Sequence, residues 1–197
     1  MAKSANKVKR VGILGGTFNP VHLGHLGLAS QAMKKLSLSS VIFIPTYIPP
    51  HKAIRGNASP SDRVNMIRLA IKNNKSFRVS LYEINRKRKS YSIDTIKYFK
   101  KRMGRGSELY FLVGSDMLKG IRLWKDIRSI LEIVNFVVCS RPRYTIKQYP
   151  VPIQRLRIVT KDVSSSQIRR LTGGKRSLKG LVSPKVATYI KKKGLYA

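Results

Sequence analysis

The chain has little of what marks several large protein classes. Its 197 residues include one cysteine, Cys139, so no disulfide can form within the chain, and we expect a reducing compartment. It has no apolar run of about 18 residues that would predict a membrane-spanning helix. Its opening, MAKSANKVKR, lacks the apolar middle of a signal peptide. A soluble cytoplasmic protein without a membrane partner is therefore predicted.

Acidic residues are also scarce. Against 8 Asp plus Glu the chain carries 41 Lys plus Arg, which leaves a net charge of +33. A field of this sign attracts any polyanion, so a basic nucleic-acid-binding protein is one interpretation. The basic residues, however, form short clusters that are dispersed along the chain. We therefore expect salt-sensitive, non-specific polyanion binding and no specific nucleic-acid partner.

Apolar runs alternate with segments of helical periodicity. The runs predict strands at 11–14, 40–44, 78–81, 108–113, 136–139 and 157–160. Helical spacing, serine caps and an initial proline predict helices over 26–36, 61–73, 93–101, 126–131, 164–171 and 184–194. This alternation is typical of an α/β fold, a Rossmann-like parallel sheet with helices on both faces. One domain is predicted over 1–197, with 1–7 as a flexible basic arm.

The segment GGTFNPVHLGH, residues 15–25, joins the first predicted strand to the first predicted helix. A glycine turn at such a junction lets backbone N–H groups approach an anion, and the helix N-terminus adds further donors. His22 and His25 stand where that helix begins and can donate hydrogen bonds to phosphoryl oxygens. The alternatives are a plain turn, surface histidines or a metal site, the last weakened because no carboxylate cluster lies nearby in sequence.

This motif and several further segments resemble one known family. GGTFNPVHLGHL is similar to the signature of the His-x-Gly-His nucleotidyltransferases, and the chain most resembles the bacterial nicotinate-nucleotide adenylyltransferases. The further segments follow in the family's order: PTYIPPHK (45–52), SLYEINRKRKSYSIDTI (80–96), FLVGSDMLKGIRLWKDI (111–127), RP (141–142) and VSSSQIRR (163–170). The resemblance covers almost the whole chain from residue 11 onward, so it is far more specific than any single motif.

The resemblance implies an enzyme of NAD biosynthesis. It would transfer AMP from ATP to nicotinate mononucleotide and release pyrophosphate, with Mg²⁺ accompanying ATP and no dedicated protein metal site. The product would be nicotinate adenine dinucleotide (deamido-NAD). A related adenylyltransferase acting on nicotinamide mononucleotide or phosphopantetheine is the alternative, and a homo-oligomer stays open. Because the attacking phosphate oxygen is already anionic at neutral pH, the reaction needs alignment and charge neutralisation and no protein base.

The resemblance also assigns residues to the two substrates. The catalytic pair would be His22 and His25, which would contact the ATP phosphates. The implied ATP-binding residues are Gly15, Gly16, Thr17, Phe18, His22, His25, Gly114, Asp116, Ser165, Ser166 and Arg169. The implied residues for nicotinate mononucleotide are Lys52 at its phosphate, Tyr91 and Ser92 at the nicotinate carboxylate, and Trp124 stacked on the pyridine ring.

Three positions depart from the family's usual pattern. Asn19 replaces a usual Asp, and Ser92 and Ser166 each replace a usual Thr. Both serines keep the hydroxyl, and Asn19 keeps the shape of an aspartate without its charge, which indicates a turn-forming role. Taken alone, Trp124 is typical of a core residue and Asp116 of a helix cap. Activity is expected to persist.

Overall fold

Six parallel strands form one sheet in the computed structural model, which describes residues 8–51, 53–104, 106–140 and 153–197. The strands are β1 (Lys9–Gly16), β2 (Ser40–Pro45), β3 (Phe77–Val79), β4 (Ser107–Gly114), β5 (Asn135–Ser140) and β6 (Gln154–Arg157). The helices are α1 (Leu23–Lys35), α2 (Pro60–Ile71), α3 (Tyr82–Asn85), α4 (Ser92–Met103), α5 (Ile127–Ile133), α6 (Ser165–Gly173) and α7 (Pro184–Lys192). A 3₁₀ helix, Ser115–Leu123, lies between β4 and α5.

Helices cover both faces of the sheet. Ile13 of β1 packs in one apolar cluster with residues of α4, α5 and the 3₁₀ helix. Its neighbour Leu14 packs in a second cluster with residues of α1, α2, α6 and α7. Because successive strand residues point to opposite faces, strands buried on both sides are apolar along their whole length, which is why the apolar runs predicted most of them. The predicted Rossmann-like α/β fold is confirmed.

The strand order β3-β2-β1-β4-β5-β6 places β1 between β2 and β4. From β1 the chain first builds one side of the sheet and then returns to build the other side from β4. In open parallel sheets, ligands bind beyond the carboxyl ends of the strands at the point where the winding direction reverses. The ends of β1 at Gly16 and of β4 at Gly114 therefore mark the expected position of a site.

The predicted glycine turn is wrong in one respect. Gly15 and Gly16 are the last two residues of β1 and pair with β2, and the chain turns only afterwards, where Phe18 has a φ of 49°. A β-carbon at Gly16 would lie 3.1 Å from the Phe18 ring. The glycine therefore permits a close approach of strand and turn, rather than making the turn itself.

The remaining differences lie in short or exposed elements. The last strand occupies 154–157 instead of the predicted 157–160, because an edge strand buries only Leu156 and so lacks an apolar run. The third strand is shorter than predicted and is followed by α3, a single turn of helix. The 3₁₀ helix was not predicted, since its residues show no long helical stripe.

Two expectations from composition can be compared with the structure. Cys139 is buried in β5, and burial raises the pKa of its thiol to about 12, so it behaves as a small apolar side chain. In the described part of the chain, no helix combines the length and the apolar character needed to cross a membrane.

Candidate active site

Two cavities open side by side where β1 and β4 end. The larger has a volume of about 540 Å³ and the smaller a volume of about 140 Å³. The residues that line both are Gly15, Gly16, Thr17, Gly114 and Met117. Ligands in the two cavities would therefore meet over the ends of the two central strands.

The larger cavity is lined by all the residues that the resemblance implied for ATP. These are Gly15, Gly16, Thr17, Phe18, His22, His25, Gly114, Asp116, Ser165, Ser166 and Arg169. They come from β1 and the loop after it, the start of α1, the end of β4, the 3₁₀ helix and α6. The fold thus brings together segments that lie more than a hundred residues apart in sequence.

The two histidines lie against each other at the start of α1. Their rings stack with centroids 3.7 Å apart and planes inclined by 30°. The backbone N–H of His22 donates to Nδ1 of His25 at 3.3 Å. Because an accepting Nδ1 carries no proton, the neutral His25 ring holds its proton on Nε2 and presents an N–H donor there. The N-terminus of α1 adds partial positive charge at the same place.

Phe18 supports the orientation of this pair. It is buried, and its ring meets the ring of His25 edge-on, with centroids 4.9 Å apart. The Phe18 ring also packs against the ring of Phe43 in β2, with centroids 5.7 Å apart. The plane of the His25 ring is therefore set by packing as well as by the hydrogen bond to its Nδ1.

The start of α6 faces the loop after β1. Ser164 caps this helix and accepts a hydrogen bond from the Gln167 N–H at 3.1 Å. The Ser165 hydroxyl donates to the Pro20 carbonyl oxygen at 2.9 Å, which ties the helix start to the loop. Arg169, one turn into the helix, donates to the hydroxyl oxygen of Ser166 at 3.0 Å. A second helix N-terminus and a guanidinium are thus directed to the larger cavity, an arrangement that binds anions.

The charge of the larger cavity is positive. Arg55 and Arg169 line it, and Asp116 is the one carboxylate among the described residues that do so. A β-carbon at Gly114 would collide with the Asp116 carboxyl group, so a larger residue there would force this carboxyl group to move. Two helix starts, two guanidinium groups and the imidazole pair make this cavity suited to a polyphosphate.

The smaller cavity is mainly apolar and aromatic. Tyr91, Ser92 and Trp124 line it, as the resemblance implied for the pyridine nucleotide. The Trp124 ring meets the rings of Phe111 and Phe136 edge-on, each at 6.1 Å between centroids. One edge of the indole is thereby fixed on the core, a common way to present an aromatic face to a ligand.

The loop before α4 forms another wall of this cavity. Tyr91 is the residue before α4 and Ser92 its first residue, so backbone N–H groups without helical partners lie here. The Ser90 hydroxyl oxygen accepts a hydrogen bond from the Tyr47 N–H at 3.1 Å, which joins this loop to the loop after β2. Lys52, the implied phosphate ligand, lies outside the described residues.

Sequence reasoning missed Glu83, which also lines the smaller cavity. Its side chain is 7% exposed, and the Thr95 hydroxyl donates to its Oε1 at 2.6 Å. Burial raises the pKa of this carboxyl group, and hydrogen bonds from the Thr95, Ser90 and Thr46 hydroxyls partly offset the shift. The available signal was an acidic residue shortly before a run of four basic residues, 86–89, and seven residues before Ser90.

Sequence reasoning also missed Arg63, whose side chain is fully buried. Its Nη1 donates to the carbonyl oxygens of Thr17 at 2.9 Å and Thr46 at 2.6 Å, and its Nη2 to that of Tyr47 at 3.3 Å. It therefore joins the ends of β1 and β2 beneath both cavities. The signal was its position four residues before Ile67, on the apolar face of α2.

Comparison with known proteins decides the family. Residues 13–171 match the model of the cytidylyltransferase-like family. A probable nicotinate-nucleotide adenylyltransferase of Bacillus cytotoxicus is 39% identical over 96% of this chain and 99% of that protein. The chain belongs to this family of nucleotidyltransferases. A second protein so named, from Pelobacter propionicus, is 38% identical over 95% of this chain and 98% of its own length.

Solved structures support the fold. The nicotinic acid mononucleotide adenylyltransferase of Plasmodium falciparum, complexed with NaAD, superposes with a TM-score of 0.77 at 19% identity, over 95% of this chain and 97% of that one. A putative nicotinate-nucleotide adenylyltransferase of Vibrio parahaemolyticus gives a TM-score of 0.69 at 17% identity, over 95% of each chain. At this level of identity the likeness concerns the path of the backbone.

Proposed function

We propose that the protein transfers AMP from ATP to nicotinate mononucleotide, giving nicotinate adenine dinucleotide and pyrophosphate in NAD biosynthesis. The observation that carries the proposal is the pair of adjoining cavities. One is basic and surrounded by helix N-termini, the other is apolar and aromatic, and they share the ends of β1 and β4. Relatives about as long as this chain carry the corresponding name.

The reaction joins the two substrates at the shared wall. A phosphate oxygen of the mononucleotide attacks the α-phosphorus of ATP, the bond from that phosphorus to the bridging oxygen breaks, and pyrophosphate leaves with the electron pair. The attacking oxygen is anionic at neutral pH, so no base is required. The protein aligns two polyanions and stabilises the charge that develops on the leaving group.

In this proposal the larger cavity binds ATP. His22 and His25 donate hydrogen bonds to its phosphates, with Nε2 of His25 already protonated as the donor. The N-terminus of α6, through Ser165 and Ser166, and the Arg169 guanidinium contact the same phosphates. Gly15, Gly16, Thr17 and Phe18 line the approach to them, and Gly114 and Asp116 hold the ribose.

The smaller cavity binds the acceptor. Trp124 stacks on the pyridine ring, and the backbone N–H groups at Tyr91 and Ser92 receive the nicotinate carboxylate. An amide in its place would direct its own donors at these N–H groups, which favours nicotinate over nicotinamide. From the resemblance alone, we assign Lys52 to the phosphate of the mononucleotide.

The lining of the larger cavity is compatible with a Mg²⁺ that arrives bound to ATP. In the described part of the chain no group of three or more His, Cys, Asp or Glu side chains could hold a metal. Mg²⁺ is commonly held by one or two carboxylates together with substrate phosphates and water. The ATP phosphates would hold the ion here, and Asp116, the carboxylate of this cavity, stays assigned to the ribose. When bound, the ion neutralises phosphate charge during transfer.

We also propose the cytoplasm as the enzyme's compartment, because both proposed substrates are metabolites of the cell interior and the chain has a single cysteine.

A direct assay tests the proposal. Purified protein is incubated with ATP, MgCl₂ and one of three acceptors: nicotinate mononucleotide, nicotinamide mononucleotide or phosphopantetheine. Pyrophosphate release is measured and the dinucleotide product is identified by mass. We expect the highest kcat/KM with nicotinate mononucleotide. A clear preference for phosphopantetheine, or no release with any acceptor, would contradict the proposal.

A further inference from the structure

The second-to-last residue of the chain reaches the loop beside the histidine pair. Tyr196 is 7% exposed, although it lies next to the end of the chain. Its hydroxyl donates to Oδ1 of Asn19 at 2.6 Å. Asn19 lines the larger cavity, three residues before His22. The C-terminal segment is therefore hydrogen-bonded to the cavity's own loop.

Every polar atom of Asn19 other than its backbone N–H takes part in a hydrogen bond. Its Nδ2 donates to the Arg55 carbonyl oxygen at 2.6 Å, and its backbone carbonyl accepts from Nη1 of Arg169 at 2.8 Å. Asparagine suits this place because it donates and accepts through one amide, whereas an ionised aspartate only accepts. The residue that the sequence indicated as a turn former thus joins the Tyr196 hydroxyl to the Arg169 guanidinium.

The segment is held in place by contacts of its own. The Tyr196 backbone N–H donates to Oδ1 of Asn57 at 2.8 Å, and Nδ2 of Asn57 donates to the Gly194 carbonyl oxygen at 3.1 Å. A β-carbon at Gly56 would lie 2.9 Å from the Tyr196 ring and 3.4 Å from the Arg169 side chain. The phenol ring and the Arg169 side chain therefore both pack closely against the loop 53–59.

The surroundings keep the phenol in its donor form. Burial raises the pKa of Tyr196, and the nearby Arg169 and Arg63 guanidinium groups offset the shift only in part. A neutral hydroxyl donates one hydrogen bond, and Asn19 receives it. Because the phenol is neutral, it does not neutralise the positive charge of Arg169. That charge therefore stays available to an anion in the cavity.

We propose that Tyr196 is a positioning residue for the ATP half of the site, acting through Asn19 on the Arg169 guanidinium. The inference rests on the proposed function. Without the hydroxyl, Oδ1 of Asn19 is buried without its donor, and the loop whose carbonyl accepts from Arg169 is held by one contact fewer. The smaller cavity has no residue in this chain of contacts, so acceptor binding does not depend on it.

The test is Tyr196→Phe, which removes one hydroxyl and keeps the ring. Tyr189→Phe is the matched control, since the Tyr189 hydroxyl donates to Asp62 at 2.8 Å, away from both cavities. Steady-state kinetics are measured at a temperature at which circular dichroism shows both variants fully folded. For Tyr196→Phe we expect the KM for ATP to rise about tenfold and the KM for nicotinate mononucleotide to stay within about twofold. Tyr189→Phe should match the wild type in both.

A second variant makes the test independent of that single substitution. Asn19→Ala should show the same ATP-selective defect, and the double variant with Tyr196→Phe should be no worse than Asn19→Ala alone. An unchanged KM for ATP in Tyr196→Phe, equal losses for both substrates, or additive effects in the double variant would overturn the inference. If the wild type itself forms no product, it is the proposed function that fails, and the two failures are distinguished.

Discussion

The two cavities differ in what holds their functional groups in place. In the larger one, hydrogen bonds orient most of the polar groups, as when Arg169 donates to the Asn19 carbonyl oxygen at 2.8 Å, and packing against Phe18 also contributes at His25. In the smaller one, ring packing does so, as when Trp124 meets Phe111 and Phe136 edge-on at 6.1 Å. One half of the site is thus built for directed donors and the other for a flat apolar surface.

The difference follows from the proposed ligands. Phosphates gain most from donors that are oriented before the reaction, because reorientation would cost energy in the transition state. A pyridine ring gains from stacking and from exclusion of water. Changes on one side should therefore affect one substrate, whereas a change in Arg63, which contacts loops of both cavities, should affect the fold beneath them.

The largest effect is expected from His22→Ala. The substitution removes an imidazole from the phosphate side, and loss of one such donor lowers kcat by roughly 10²- to 10³-fold. Pyrophosphate release in single-turnover and steady-state assays measures the change. Binding to double-stranded DNA, followed at two salt concentrations, should be unaltered, because one neutral imidazole contributes little to counterion release. Unchanged turnover would remove His22 from the site. A parallel loss of DNA binding would favour a nucleic-acid-binding role for the histidine pair.

The next largest effect is expected from Arg63→Met, which should lower the free energy of unfolding. The three part-buried carbonyl oxygens that accept from the guanidinium would lose their donors, at a total cost of roughly 3 kcal/mol. Urea unfolding measures the change. Arg68→Met is the control, because Arg68 lies exposed on the same helix and its replacement should alter stability by less than about 0.5 kcal/mol. Equal unfolding free energies for the two variants would contradict a structural role for Arg63.

Trp124→Ala should have a smaller and one-sided effect. Loss of stacking on the pyridine ring should raise the KM for nicotinate mononucleotide about tenfold and leave the KM for ATP within about twofold. Trp124→Phe keeps an aromatic face, so its KM for nicotinate mononucleotide should lie between those of Trp124→Ala and the wild type. An unaltered KM for the mononucleotide in Trp124→Ala would exclude Trp124 from the acceptor site.

The sequence predicted the parts of the molecule that depend on local pattern. Central strands were found because burial on both faces makes them apolar throughout, and His22 and His25 because a helix start follows a strand there. The edge strand Gln154–Arg157 was misplaced, since it buries only one side chain. Arg63 and Glu83 were missed because their importance comes from partners brought together by the fold, and one sequence does not show those partners.

The same limit applies to the C-terminal segment. Nothing in the local pattern around Tyr196 indicates a partner 177 residues earlier in the chain. The chemistry of asparagine indicated a turn at Asn19, and the residue does lie in a turn, but its amide contacts with Arg55 and Tyr196 arise only when three distant segments meet. Motifs therefore identified the groups facing the cavities, and the structure adds the groups that hold them.

The smallest expected effect concerns pH and the buried acid of the acceptor side. Because burial raises the pKa of Glu83 above its ordinary 4.5, the folded state retains this proton to higher pH than the unfolded chain does. The contribution of Glu83 to the free energy of unfolding should therefore fall as pH rises from about 4.5 through the folded pKa, so the wild type should lose stability relative to Glu83→Gln over this range. Urea unfolding of both proteins between pH 4.5 and 8 measures the difference, and Glu132→Gln, exposed on α5, controls for removal of one charge. Parallel profiles for wild type and Glu83→Gln would mean that the carboxyl group pays no desolvation cost, and that the smaller cavity is more hydrated than its apolar lining indicates.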